Sequence, residues 1–275
     1  MINTSRVTDI SVLLPTRGRT TALQTSILSL VSNACDPGRC EILLVFDDDD
    51  QSSSQWFLQN VAEEIDRLGA RYSCWQLPRL GYIRLNEYVN FLAKQSQGKW
   101  LMFWNDDAIM ISKNWDKEIT AHDGHFKVLR MPTHRDHPYA IFPIVPRIWF
   151  DLFGYISPHQ ISDAWVSQIA FMLDIMQNIP VQVEHDRHDL TGNNADATFH
   201  QRVMLEGRPS DPRDFNHLDW RSRRMRDATR MCEWLEGQGN DMSWFRRVMR
   251  NEQDPWEKMC SPQFDPNRQV SKNAC

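Results

Sequence analysis

Apolar and polar positions fall into repeating blocks along the first hundred residues of this 275-residue chain. Residues 9–14 (DISVLL) form a β-rich run stopped by Pro15, and Thr16-Arg17-Gly18-Arg19 makes a polar loop. Residues 20–32 then carry Leu23, Ile27 and Leu30 at helical spacing. The unit recurs: residues 41–46 (EILLVF) read as a strand, 47–54 as a polar loop and 55–68 as an amphipathic helix. A third strand over 71–76, a helix over 81–95 and a fourth strand over 99–104 complete the series. Such alternation predicts an α/β fold with a mostly parallel central sheet covered by helices on both faces.

Beyond residue 104 the pattern is mixed. A strand is expected over 140–146 despite its prolines, a short helix or turn over 147–153 and a break at Gly154-Tyr155. Residues 162–176 have helical apolar spacing, and 181–184 form a short strand leading into His185. From Phe199 onward the chain is helical and Arg-rich, and residues 261–275 are polar enough for a loose tail. The chain therefore divides into a larger unit over 1–200 and a helical, Arg/Trp-rich extension over 201–275.

Composition narrows the function classes. Hydrophobic content of 41% and charged content of 24% are ordinary for a globular protein, whereas 11 Trp is high and makes exposed aromatic platforms for sugars or bases an expectation. A formal charge of −5 gives no global attraction to nucleic acid or anionic membrane, so DNA binding needs a local basic patch. The strips WRSRRMRDATR and FRRVMR are candidates, with solvated helix faces as the plainer reading. Six cysteines without a CxxC pair suit neither a zinc site nor a dense disulfide framework and are expected as reduced thiols. The N-terminal apolar run is far below the ~20 residues that span a bilayer, so a soluble, cytoplasmic protein without a membrane span is expected.

The most informative stretch is KWLMFWNDDAIMI, where an apolar run ends in Asp106 and Asp107. Ligands collect at the carboxyl ends of strands in α/β sheets. Two hard oxygen donors there suit Mg²⁺ or Mn²⁺, which bind through one or two carboxylates plus a substrate's phosphates. Helix or turn capping is the alternative for the pair. Thr16, Arg17 and Arg19 offer a hydroxyl and two guanidiniums suited to a nucleotide, in a loop that is neither a P-loop nor GxGxxG. Asp47 to Asp50 crowd four carboxylates after a strand, of which Asp47 or Asp48 is expected to face the site and Asp49 and Asp50 to be exposed. Arg79, Tyr82, Arg84 and Asn86 surround a Gly81-centred helix start that favours an anionic group. Asp163, at the start of a helix, is the candidate general base, with dipole balancing as the alternative. His185-Asp186-Arg187-His188 offers an imidazole to complete a metal's coordination, and Asn193, Asn194, Asp196 and Thr198 would shape a loop over phosphates.

Together SVLLPTRGR, LLVFDDDD, GYIRLNEYVNFLAKQSQGKWLMFWNDDAIM, the Asp163 segment and VEHDRH occur in the order seen in GT-A type nucleotide-sugar glycosyltransferases. The chain resembles the family-2-like enzymes, including those carried by bacteriophages, over roughly residues 10–199. The resemblance implies a Rossmann-like sheet with an adjoining acceptor-binding part, 1–200 binding the nucleotide sugar and catalysing transfer. It implies that Pro15, Thr16, Arg17 and Arg19 contact the nucleotide, with UDP favoured, and that Asp47 or Asp48 reads its base. Asp106 and Asp107 occupy the place of the family's DxD metal motif, Asp163 that of the catalytic base, and His185 or His188 that of the late metal ligand. The motif here is Asn105-Asp106-Asp107-Ala108, without Asp-x-Asp spacing, so Asp107 is assigned to the metal and Asp106 to the ribose or a metal-bound water. The expected reaction is metal-dependent, inverting transfer to a hydroxyl, for a phage-type enzyme that of a hydroxymethylated base in DNA within the host cytoplasm. A metal-dependent nuclease using the acidic cluster, or a non-catalytic nucleotide-sugar-binding module, are the competing classes.

Overall fold

The computed structural model describes residues 7–132, 139–186, 200 and 211–251. The strand-helix alternation read from the sequence is present as β1 (Ile10–Thr16), α1 (Thr20–Asn33), β2 (Cys40–Asp47), α2 (Gln51–Asn60), α3 (Ala62–Arg67), β3 (Arg71–Leu77), α4 (Leu85–Gln95) and β4 (Trp100–Phe103). There follow β5 (Ala108–Met110), α5 (Trp115–Thr120), β6 (Val128–Arg130), β7 (Ile144–Pro146), α6 (Arg147–Phe153), α7 (Ser162–Met172), β8 (Met176–Asn178) and β9 (Val183–His185). Two further helices are α8 (Leu218–Gly237) and α9 (Ser243–Asn251). Seven strands form one sheet in the order β3-β2-β1-β4-β7-β6-β8, and β5 pairs with β9 separately. The β1–β4 strands are parallel to one another, whereas β7 runs antiparallel to β4 and β6.

Side-chain alternation along these strands separates two cores. Leu13, Leu43, Val45, Leu101 and Phe103 face α4, α7 and α8. Ile10, Val12, Leu14, Ile42, Leu44, Phe46 and Met102 face α1, α2, α3 and α5. Both faces are thus covered, which is why β2 is apolar and buried almost without interruption. Helix α8 contributes Ala228, Met231, Cys232 and Leu235 to the first core, so its apolar side is fixed against the same sheet. Gly98 permits β4 to lie against β1: a Cβ there would meet Ser11 N at 2.6 Å, and Gly98 N donates to Ser11 Oγ at 2.8 Å.

Several boundaries differ from the sequence pattern for identifiable reasons. Pro15 does not stop β1. Leu13 O accepts from Trp104 N at 3.1 Å, so Pro15, two residues on, points its absent N–H toward the same side, past the end of β4, where no ladder partner is lost. The helix expected over 55–68 starts at Gln51 and is broken at Val61 (φ −124°), where Val61, Ala62 and Ile65 are all buried. The Asp50 carboxylate accepts from the Ser52 and Ser53 hydroxyls and its carbonyl from Ser53 N, which turns the chain into α2 early. The helix expected over 162–176 ends at Met172. Asp174 is left-handed (φ 56°) and Ile175 N donates back to Ala170 O at 3.0 Å, a Schellman closure that frees Met176 to pair with Val128. Only residues 144–146 of the strand expected over 140–146 are paired, and the strand expected over 181–184 lies at Val183–His185.

Of the described tryptophans, half are buried and half are partly exposed. Trp100, Trp104, Trp115, Trp149 and Trp165 are buried, and no described Trp is fully exposed, because these large rings fill the space between sheet and helices. Cys35, Cys40, Cys74 and Cys232 are free thiols. Among the described residues no helix is long and apolar enough to cross a membrane.

Candidate functional site

The carboxyl ends of β1, β2 and β4 meet at one edge of the sheet. Trp104 follows β4 into the core and donates Nε1–H to Ser26 Oγ at 2.8 Å, while Ser26 Oγ donates to Asn105 O at 3.0 Å. Helix α1 therefore anchors the Asn105–Asp107 turn. Immediately after it β5 pairs with β9, setting Ala108 opposite His185, and Asp186 N donates to Asp107 O at 2.8 Å. This pairing brings a distant histidine to the carboxylates.

Asp106 and Asp107 are both buried but engaged differently. Asp106 accepts from Thr16 Oγ1 at 2.8 Å on one oxygen and from Arg19 Nη1 at 3.0 Å on the other. Arg19 Nη1 also donates to Asp107 Oδ2 at 3.0 Å. Asp107 Oδ1 has no hydrogen-bond partner, and His185 Nε2 approaches it at 3.2 Å without hydrogen-bond alignment. His185 is 2% exposed and its Nδ1 is also unpartnered. Burial pushes the Asp106 carboxyl above the ordinary carboxylate range, opposed by Arg19 and reinforced by the neighbouring Asp107 charge.

These residues fit a hard divalent cation. An unpartnered buried carboxylate oxygen beside an imidazole nitrogen is a mixed O/N donor pair suited to Mn²⁺, with remaining positions for water and phosphate oxygens. Among the described residues no group of three or more His, Cys, Asp or Glu is arranged to hold a metal. His188, Asn193, Asn194, Asp196 and Thr198 lie outside the described residues.

The acidic run after β2 is closed upon itself. Asp47 accepts from the Tyr88 hydroxyl and, at 2.8 Å, from Arg17 Nη1. Arg17 also pairs with exposed Asp49, which Arg79 approaches at 3.4 Å, and these carboxylates raise the Arg17 guanidinium further above its ordinary value. Asp48 accepts from Arg79 N at 3.3 Å. Asp50, expected on the surface, is buried: Gly18 N donates to it at 2.8 Å, tying the β1 loop to the start of α2. Asn86 is buried and donates to Ser157 O at 3.4 Å, and exposed Arg84 pairs with Glu87 one helical turn on.

Beside this edge lies a cavity of about 420 Å³ that brings Pro15, Tyr82, Asn105, Asp163 and His185 together. Its far wall is the 211–216 segment, with Arg213, Asp214, Phe215 and Asn216, and Gln160 and Gln168 add amides. In the sequence, the turn-forming SDPRDFN run marks a loop but not its destination. His159 fastens the wall in place. Its Nδ1 accepts from Ile161 N at 3.1 Å while Nε2 lies 3.1 Å from Arg213 O, the pattern of a neutral ring with the proton on Nε2. Burial between Phe215 and Trp220 lowers its pKa to about 4. Buried Arg224 donates to Phe215 O at 2.8 Å and lies over the Phe215 ring, and Arg223 stacks on Tyr155 and Trp220. Two arginines of the WRSRRMRDATR strip thus support the fold, while Arg226 and Arg230 are exposed.

Solved structures share this arrangement of sheet and helices. S. aureus TarS 1-349 in complex with UDP aligns with a TM-score of 0.50 at 16% identity, over 70% of this chain and 68% of that one. The same fragment in complex with UDP-GlcNAc aligns with a TM-score of 0.50 at 17% identity, over 68% and 62% of the respective chains. This is a GT-A fold. A longer S. aureus TarS structure, with a TM-score of 0.50 and 13% identity over 72% of this chain, is covered over only 42% of its own length. This chain therefore spans less than half of that structure's length. No family model and no curated protein matches its sequence.

Proposed function

We propose that the protein is a metal-dependent glycosyltransferase that moves a sugar from a nucleoside-diphosphate donor to a hydroxyl acceptor, with inversion at the anomeric carbon. The observation that carries this reading is the open oxygen of buried Asp107 beside His185, a residue that lines the same cavity as Asp163. The GT-A fold supports it, and the UDP and UDP-GlcNAc held by the TarS fragments support a uridine donor.

In this reading Asp107 and His185 hold Mn²⁺ or Mg²⁺, with His188 as the other candidate ligand. The cation, when bound, neutralises charge on the leaving diphosphate. Arg17 and Arg19, on the loop after β1, add fixed positive charge on the same side. Pro15 and Tyr82 border the nucleotide end of the cavity, Thr16 positions Asp106, and Asp48, the more exposed of the two candidates, reads the base with Arg79 behind it. Asn86 acts indirectly, through the Ser157 segment. Asp163 accepts the proton of the acceptor hydroxyl as its oxygen bonds to the anomeric carbon and the bond to the diphosphate breaks on the opposite face. A hydroxymethylated base in DNA is the acceptor class to test first, with exposed Arg226 and Arg230 available to phosphates.

Thermal stabilisation by UDP, GDP, CMP and dTDP, with and without Mn²⁺, tests the donor site. One diphosphate should stabilise the protein in a way that needs both Mn²⁺ and Asp107, and Asp107→Ala should lose the effect. Release of no nucleoside diphosphate from any nucleotide sugar, with any hydroxyl acceptor, would falsify the reading.

A further inference from the structure

We propose that Arg19 is the exchangeable counter-cation of the Asp106–Asp107 pair: it neutralises these carboxylates in the donor-free protein and yields Asp107 to a divalent cation only when a diphosphate arrives to take the guanidinium. The proposal rests on the transferase reading above and adds an order to its binding steps.

Two adjacent carboxylates, 6% and 7% exposed, repel each other in a poorly solvated place and call for a nearby positive charge. One nitrogen, Arg19 Nη1, lies 3.0 Å from an oxygen of each and is itself mostly shielded, its side chain 19% exposed. It performs the charge-balancing task that a divalent cation would perform on the same pair. Its partner oxygen on Asp107 is Oδ2, while Oδ1 is the atom left without a hydrogen bond next to His185. Asp107 therefore offers one oxygen to Arg19 and keeps the other for a metal.

The consequence is antagonism followed by alliance. A cation bound to Asp107 Oδ1 without a nucleotide would sit across one carboxylate from a guanidinium, and the like charges oppose each other. A diphosphate reverses the sign of that term, because its oxyanions accept from Arg19 and coordinate the cation together. Asp106 stays tied to Thr16 throughout, which keeps the turn in place while the arginine changes partners. Metal and nucleotide should accordingly strengthen each other's binding by the same factor.

Mn²⁺ binding followed by electron paramagnetic resonance of the free ion, without any nucleotide, tests the exchange directly. Arg19→Gln should bind Mn²⁺ alone about tenfold more tightly than the unmodified protein and bind UDP in the presence of Mn²⁺ about tenfold more weakly, the size expected for one charge-assisted hydrogen bond. Arg19→Lys, which keeps the charge, should leave affinity for Mn²⁺ alone within about twofold of the unmodified protein. In the unmodified protein, saturating UDP should tighten Mn²⁺ binding about tenfold or more. The proposal is overturned if Arg19→Gln leaves affinity for Mn²⁺ alone unchanged or lowers it, if the Lys and Gln variants behave alike, or if UDP binds without tightening Mn²⁺. Failure of every diphosphate to bind would remove the transferase reading, while the Mn²⁺-only comparison would still decide whether Arg19 opposes the metal.

Discussion

Two acidic turns flank β1, one after β2 and one after β4, and each faces an arginine from the loop after β1. After β2, Asp47 has both oxygens engaged, by Tyr88 and Arg17, and Asp50 likewise, by Gly18 N and two serine hydroxyls. After β4, Asp106 is equally satisfied, yet Asp107 keeps a buried oxygen without a donor. Leaving such an atom unmet costs free energy, on the order of 1–3 kcal/mol. Runs of carboxylates that look alike in sequence thus differ in structure: the first is closed by the protein's own donors, and the second keeps one buried oxygen without a donor.

Substitutions sharpen that contrast, and the largest effect belongs to the open side. Asp163→Asn should lower turnover by about 10²–10⁴-fold while metal-dependent UDP binding persists, as steady-state kinetics and calorimetry would show. Equal loss of binding and turnover would make Asp163 a positioning group instead. Asp107→Ala should weaken Mn²⁺ binding by at least about a hundredfold, since even residues that merely support a metal ligand are worth about 10–100-fold.

The 211–216 wall of the cavity rests on a buried neutral histidine, which makes stability depend on pH. Because the His159 pKa is lowered to about 4 from its ordinary 6.5, the unfolded chain binds a proton between pH 6.5 and 4 that the folded protein does not. Stability should therefore fall as pH drops through that window, by about 3 kcal/mol at most. His159→Gln should flatten the slope in urea titrations across the same range; an unchanged slope would assign it to other groups.

After β2, Asp47→Asn should reduce stability by about 1–3 kcal/mol, because Tyr88 and Arg17 lose a charged acceptor, with Mn²⁺ affinity unaltered. The smallest effect is expected at exposed Asp49, where Asp49→Ser should leave the urea midpoint unchanged. A large loss at Asp49 together with none at Asp47 would invert the comparison between the two turns.

Much of this molecule could be read from local pattern. The runs DISVLL, EILLVF and WLMF, each followed by a polar loop, gave strands, their parallel arrangement and the edge at which Thr16, Asp47 and Asp106 meet, since strand-helix repetition and short connections leave few alternatives. The missing Asp-x-Asp spacing was legible in the sequence; that Asp106 is fully hydrogen-bonded and Asp107 is not was hidden, because the donors come from the loop after β1. Breaks that rest on a single backbone angle, such as Val61 and Asp174, were hidden because apolar spacing continues through them.

What the sequence by itself determined is the layering: which residues face each side of the sheet and which polar loops gather at its edge. That follows from periodicity, a short-range property of the chain. Tertiary structure alone decided which carboxylate oxygens are met by the protein's own donors and which are not. The pairing of β5 with β9 carried His185 to Asp107, and the contacts of His159 and Arg224 folded the 211–216 segment into the cavity wall. Those outcomes depend on residues far apart in the chain competing for the same hydrogen bonds, a competition that no local window of sequence contains.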